Sequence, residues 1–179
     1  MDEITLINEC LKDNRIAQEQ LYKRFASRML GVCFRYARSR DEAEDLLQDG
    51  FVKVFLHLKK FKGEGSFEGW VRKIMVNTAI NHLKRDKLFF ENVEDHELEI
   101  ENQGLVNDEM DGKDLMEEIQ KLPAGYKAVF NLFAIEGYSH KEIGAMLNIG
   151  ESTSRSQFTR ARVALIKQLE LKTTSLKHE

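Results

Sequence analysis

The 179-residue sequence predicts an all-α protein, two small helical domains joined by an acidic extended linker, and three observations predict it. Apolar residues recur at spacings of three and four, and no alternating Val/Ile/Thr stretch reaches strand length. Proline occurs once, at Pro123, so little interrupts long helices. Charge is also segregated along the chain. Residues 1–90 carry 17 Lys and Arg against 13 Asp and Glu, residues 91–118 carry 1 against 12, and residues 119–179 carry 9 against 5. The net charge of −3 thus averages two basic blocks and one strongly acidic stretch. A composition 42% hydrophobic and 32% charged belongs to a globular chain, neither disordered nor membrane-like.

The first block, residues 1–90, opens with a helix expected near Ile4–Asn14. In "AQEQLYKRFASRMLGVCFRYA", Leu21, Phe25, Met29 or Leu30, Cys33 or Phe34, and Ala37 fall on one helical stripe. "SRDEAEDLLQDGFVKVFLHLKKF" follows, with Ser39 or Asp41 as its cap and Leu46, Leu47, Phe51, Val54, Phe55 and Leu58 as its apolar face. Gly50 in mid-helix costs up to about 1 kcal/mol relative to Ala, which points to close helix packing there. A turn at Gly63 and Gly65 ends this helix, and a fourth runs from about Glu68 to Lys87, burying Val71, Ile74, Met75 and Thr78.

Residues 91–113, "ENVEDHELEIENQGLVNDEMDGK", concentrate acid without an amphipathic period and read as an extended linker. A second block, residues 114–172, has helices near Asp114–Lys121 and Tyr126–Glu136 on either side of "LPAGY", then two more, with a tail at 173–179. In "IEGYSHKEIGAMLNIGESTSRSQFTRARVALIKQLE", Ser139 and Glu142 form a capping box that starts a helix from His140 to Leu147. Ile143 and Leu147 point inward, and Ala145 is small enough for a tight helix crossing. "NIG" makes the turn, Ile149 plugs the angle, and Gly150 stands at the cap of a long helix from Glu151. Ser154, Phe158, Ala161 and Leu165 share its inner face, and Ser152, Arg155, Ser156, Thr159 and Arg160 the opposite one. This is the spacing of a helix-turn-helix whose second helix reads the major groove.

"FKGEGSFEGWVRKIMVNTAINHLKR", Phe61–Arg85, sets Phe61, Phe67 and the sole tryptophan, Trp70, around a glycine-rich loop. On the helix that follows, Lys73, Asn77, Asn81 and Lys84 lie within about 80° of one another, two cations and two amides on one face. Aromatic faces for stacking, positive charge for a backbone and a loop that forms a pocket are what unpaired bases require. The same spacing equally fits burial of Phe67 and Trp70 in a core, and the residues alone leave both readings open.

With these motifs in order, the chain resembles a bacterial RNA polymerase sigma factor of the extracytoplasmic-function type, group IV of the sigma-70 superfamily. "DEAEDLLQDGFVKVFLHLKKFKGEGSFEGWVRKIMVNTAINHLKR" is similar to that family's region 2, a four-helix domain, and "LPAGYKAVFNLFAIEGYSHKEIGAMLNIGESTSRSQFTRAR" to its region 4. The resemblance implies that Asp45, Leu46, Gln48, Asp49 and Lys53 dock on the coiled coil of the polymerase β′ subunit. It implies that Phe61, Lys62, Glu64, Ser66, Phe67, Trp70, Lys73, Asn77, Asn81 and Lys84 capture the melted −10 strand. Ser152, Thr153, Arg155, Ser156, Thr159, Arg160 and Arg162 would bind the −35 duplex, with this domain against the β flap. The acidic linker would thread toward the RNA exit path and active-site cleft. The same resemblance implies an anti-sigma factor or other recruiting partner, while the acidic, soon polar "MDEITLINECLKDN" and the lack of an apolar run of membrane-spanning length predict a cytoplasmic location without membrane insertion. Gly50, Gly150, Ser154 and Gln157 depart from the family pattern, Gln157 standing where Arg is frequent, and altered −35 affinity is the expected result.

A helix-turn-helix repressor would explain the second block but leave the aromatic loop and acidic tether without a purpose. An enzyme finds little support. His57, His82, His96, His140 and His178 are scattered, and no nucleophile triad or carboxylate pair has catalytic spacing. His82 falls toward the buried side of its helix and reads as a packed histidine. Cys10 and Cys33 form no CxxC and read as buried free thiols, so neither a metal nor a cofactor is expected.

Overall fold

The computed structural model describes residues 2–85 and 112–176, with side chains at 2–85 and 115–171. Every regular element among them is helical. Most of the expected linker, 91–113, lies outside the described residues. Contacts divide the chain into two units, Met1–His82 and Leu83–Glu179.

The first unit comprises α1 (Glu3–Cys10), α2 (Arg15–Phe34), α3 (Arg40–His57), a 3-10 turn at Leu58–Lys60 and α4 (Phe67–Arg85) up to His82, the last turn of that helix crossing the boundary. Polar caps set its helix starts. Asp2 accepts from Thr5 N at 2.9 Å, Asn14 accepts from Ile16 N and Ala17 N, and Ser39, rather than Asp41, accepts from Glu42 N. Asp13, at φ 59°, turns the chain between α1 and α2, ending the first helix earlier than its polarity suggested. The core is built from Leu21, Phe25, Met29 and Cys33 of α2, Leu46, Leu47, Phe51 and Val54 of α3, and Val71, Met75 and Ala79 of α4. Gly50 has the close neighbour that its position implied. A Cβ there would run into the Met75 thioether, whose Cε would lie at 2.9 Å. Two polar contacts then fix α3 against α4: Lys53 Nζ donates to Thr78 Oγ1 at 3.0 Å, and His82 Nε2 lies 2.8 Å from Glu42 Oε1.

In the second unit, α5 (Gly112–Gln120) and α6 (Ala124–Phe130) flank Pro123, followed by α7 (His140–Leu147) and α8 (Glu151–Leu176). Proline at the start of α6 presets a helical entry, so the helix begins two residues before the expected Tyr126. Its last turn, Asn131–Ile135, widens to bonds spanning five residues, and Gly137 at φ 78° reverses the chain. The capping box forms as expected: Ser139 Oγ accepts from Glu142 N at 3.3 Å, and Glu142 Oε2 accepts from Ser139 N at 2.8 Å.

The tight crossing is at Gly144, not Ala145. Ala145 is exposed, whereas a Cβ on Gly144 would stand 2.8 Å from Ile149 O. Asn148, at φ 59°, makes the turn by donating its N–H to Gly144 O. Ile119, Leu122, Ala161 and Leu165 form a buried cluster packed by Tyr126 and Phe130, while Ile143 and Leu147 are fully buried. Burying each such aliphatic side chain contributes about 1.5–3 kcal/mol, which seats α7 and α8.

Candidate nucleic-acid interface

The glycine-rich loop supports a small aromatic cluster. Gly63 and Gly65 have φ of 74° and 84° with open space around each, so conformation rather than crowding requires glycine there. Ser66 Oγ accepts from Gly69 N at 3.0 Å and starts α4. Phe61 lies 5.1 Å from Phe67 and 5.6 Å from Trp70, and Phe67 lies 5.6 Å from both Trp70 and Phe25.

The open question about this cluster divides by residue. Phe67 is 1% exposed, so neither face of its ring is available to a base. It is the seat on which half-buried Phe61 and Trp70 rest, so the expected direct stacking of a base on Phe67 does not fit its burial. Lys62, Glu64 and Ser66 are exposed on the loop, and Lys73, Asn77, Asn81 and Lys84 are all exposed along α4. Val71, Met75 and Thr78 line the buried side, with Ile74 half-buried beside them. Arg28 of α2, over the Phe25 ring at 5.3 Å, pairs with Glu68 at 2.7 Å and adds a cation that the linear sequence did not associate with the loop.

On α3, Asp45, Gln48 and Asp49 are exposed together. Leu46 is buried and Lys53 is half-buried on Thr78, so those two hold α3 in place. Sequence reading missed Val52 and Leu56, 57% and 71% exposed. Helical spacing places them within an arc of about 100° with Asp45, Gln48 and Asp49, so the periodicity of the acidic residues, continued two turns, would have found them. Glu42 anchors this helix to α4. Partial burial opposes its ionisation, but the Arg38 side chain and N–H, with His82, outweigh burial and hold the carboxyl below the ordinary carboxylate range.

In the second unit, Ser152, Arg155, Ser156 and Arg162 are exposed on α8, with Thr153, Thr159 and Arg160 half-buried. Arg155 pairs with Glu151, Ser156 Oγ donates to Thr153 O and Thr159 Oγ1 to Arg155 O, both at 3.0 Å. Gln157 is buried, so it occupies an inner position and not a surface one from which Arg would reach phosphate. Counting 100° per residue from Ala161 and Leu165 would have assigned it correctly. Among the described residues, no helix is long and apolar enough to cross a membrane, and no group of three or more His, Cys, Asp or Glu is gathered for a metal.

Residues 21–88 match the Sigma-70 region 2 family and residues 113–165 match Sigma-70, region 4. The RNA polymerase sigma-H factor of Pseudomonas aeruginosa is 28% identical, the match covering 92% of each chain. The ECF RNA polymerase sigma-E factor of Haemophilus influenzae is 26% identical over 88% of this chain and 89% of its own. Among solved structures, the sigma factor RpoE of Bartonella quintana, in complex with the anti-sigma factor NepR, shares the fold at 20% identity and a TM-score of 0.51. That match covers 85% of this chain and 96% of the other. The chain belongs to the sigma-70 family as a sigma factor of the extracytoplasmic-function type, a non-catalytic subunit that directs RNA polymerase to promoters and starts transcription there.

Proposed function

We propose that the two units divide promoter recognition, residues 1–90 acting as region 2 and 114–172 as region 4, with the polymerase holding both. The α3 face of Asp45, Gln48, Asp49, Val52 and Leu56 docks on the β′ coiled coil. Phe61 and Trp70 stack on unpaired bases of the −10 strand, while Lys73, Asn77, Asn81 and Lys84 hold its backbone and edges. Arg155, Ser152, Ser156, Arg160 and Arg162 of α8 meet the −35 duplex, and the second unit lies against the β flap. The protein works in the cytoplasm, and a regulatory partner of the anti-sigma kind controls its access to polymerase.

The observation that carries this reading is the pair of half-buried rings on a fully buried third, beside four exposed cationic and amide side chains of one helix face. Such a surface fits single-stranded nucleic acid better than duplex, because a base must leave the stack to reach the rings. The experiment maps transcript start sites with purified native core polymerase, with and without this protein. New starts preceded by two shared sequence elements are expected. Identical positions and rates in both reactions would overturn the reading.

A further inference from the structure

The inner face of α8 is polar where a helix-turn-helix ordinarily packs apolar side chains. Ser154 is fully buried and Gln157 is 2% exposed, on the side that carries Ala161 and Leu165 inward. Gln157 Oε1 has no hydrogen-bond partner among the described residues, so that atom holds the helix in no particular rotation. Ser154 differs: its Oγ lies 3.0 Å from Nδ1 of His140, the first residue of α7. The imidazole is 9% exposed, stacks on Phe133 at 4.3 Å and 9°, and meets Phe158 at 5.7 Å. One directional contact therefore joins the start of α7 to the first turn of α8, one residue from Arg155.

We propose that His140 is a positioning residue for duplex recognition, setting through Ser154 the rotation and depth of the first turns of α8. The proposal rests on the reading of α8 as the helix that enters the groove. Apolar packing is non-directional and tolerates small rotations, whereas a hydrogen bond restricts both distance and angle. With side chains, a helix has a radius of about 5–6 Å, so a rotation of roughly 30° moves a side-chain tip by about 3 Å. That is one hydrogen-bond length, enough to take Arg155 or Ser156 off a base edge.

The contact also depends on protonation. Burial disfavours the imidazolium of His140 first, and the Arg155 guanidinium adds to this, while Glu151 opposes both, leaving its pKa below the ordinary 6.5. Those two side chains of α8 are the charged groups facing the ring, and the wide turn before α7 contributes the uncharged Phe133. The ring also sits at a helix N-terminus, where the backbone field disfavours a cation. Protonated, Nδ1 still donates to Ser154 Oγ, so the arrangement is weakened by the buried charge that then stands near Arg155 and not by loss of the hydrogen bond itself. Positioning is thus intact when the ring is neutral and weakens as pH falls through the lowered pKa.

The test uses the full chain assembled with native core polymerase on a promoter found by start-site mapping. Upstream-duplex affinity and base preference are measured for wild type, Arg155→Ala, His140→Phe, Ser154→Ala and the His140→Phe/Ser154→Ala double variant. His140→Phe keeps a ring for the aromatic stack and removes the nitrogens. Each single change at this pair should lower affinity for the preferred duplex about fivefold, the scale of one neutral hydrogen bond. The double variant should lose no more than either single one, and binding to a pre-melted downstream segment should not change. Wild type should lose upstream affinity more steeply than His140→Phe as pH is lowered from 7.5 to well below the ordinary 6.5. Additive losses, unchanged affinity with only a lower unfolding temperature, or identical pH profiles would overturn the proposal. If Arg155→Ala alters base preference while the His140 and Ser154 variants do not, only the positioning role fails. If wild type has no upstream preference at all, the assignment of α8 fails with it.

Discussion

Phe67 and Trp70 lie three residues apart at the start of one helix, yet their different burial gives them different tasks. Phe67 fills the junction of α2 and α4, so Phe67→Ala should cost about 3–5 kcal/mol in unfolding free energy. Trp70→Ala leaves that core in place and removes a stacking surface, worth about 1–3 kcal/mol per base. Thermal unfolding and strand-opening assays on the two variants check this: Phe67→Ala should fail in the first, Trp70→Ala chiefly in the second. Equal loss of unfolding temperature in both would place Trp70 in the core as well. The sequence alone could not separate the two rings. At the first turn of a helix, i and i+3 share a face, and which one lies deeper depends on a distant residue, here Phe25.

At the scale of elements, the helix-turn-helix was the most legible part, because its caps are local chemistry. Ser139 and Glu142 announce α7, and both reciprocal bonds form. Ser139→Ala should destabilise the second unit by about 1 kcal/mol at neutral pH. Ser139's N–H, then its hydroxyl, hold the Glu142 carboxyl below its ordinary 4.5, so the unfolded chain binds this proton more readily than the folded one. The Glu142 carboxylate's contribution to the cap is therefore complete above about pH 4.5 and is lost as pH falls through the lower folded value. Unfolding curves of wild type and Glu142→Ala should converge in acid; a constant gap from pH 7 to pH 3 would contradict the linkage.

Gly144 was less legible than its neighbour Ala145, since smallness alone does not say which residue meets a backbone. Gly144→Ala presses a methyl on Ile149 O, which cannot swing aside, and should cost about 1–3 kcal/mol in the second unit's unfolding. Ala145→Ser, on the exposed side, should leave unfolding almost unchanged. Motif resemblance groups neighbours that a helix turns to opposite sides, which is how buried Leu46 enters a docking set with exposed Asp45 and Gln48.

Across the whole molecule, charge and exposed chemistry are partitioned. Two basic blocks flank a stretch with 12 acids and 1 base, so the chain as a whole carries no basic excess to drive DNA binding by itself. Within the first unit, α3 exposes acid, amide and two aliphatic side chains, while α4 exposes cations and amides. On the function proposed, these two faces serve different steps. Core-polymerase affinity and the rate of promoter opening, measured for two variants of the full chain, separate them. Replacing Asp45, Gln48 and Asp49 by Ala together should weaken polymerase binding at least tenfold, with opening recovered when that variant saturates the polymerase. Replacing Trp70 and Asn77 by Ala should leave polymerase affinity within about twofold and slow opening at saturation by tenfold or more. Equal losses of polymerase affinity in the two variants would contradict the division of labour.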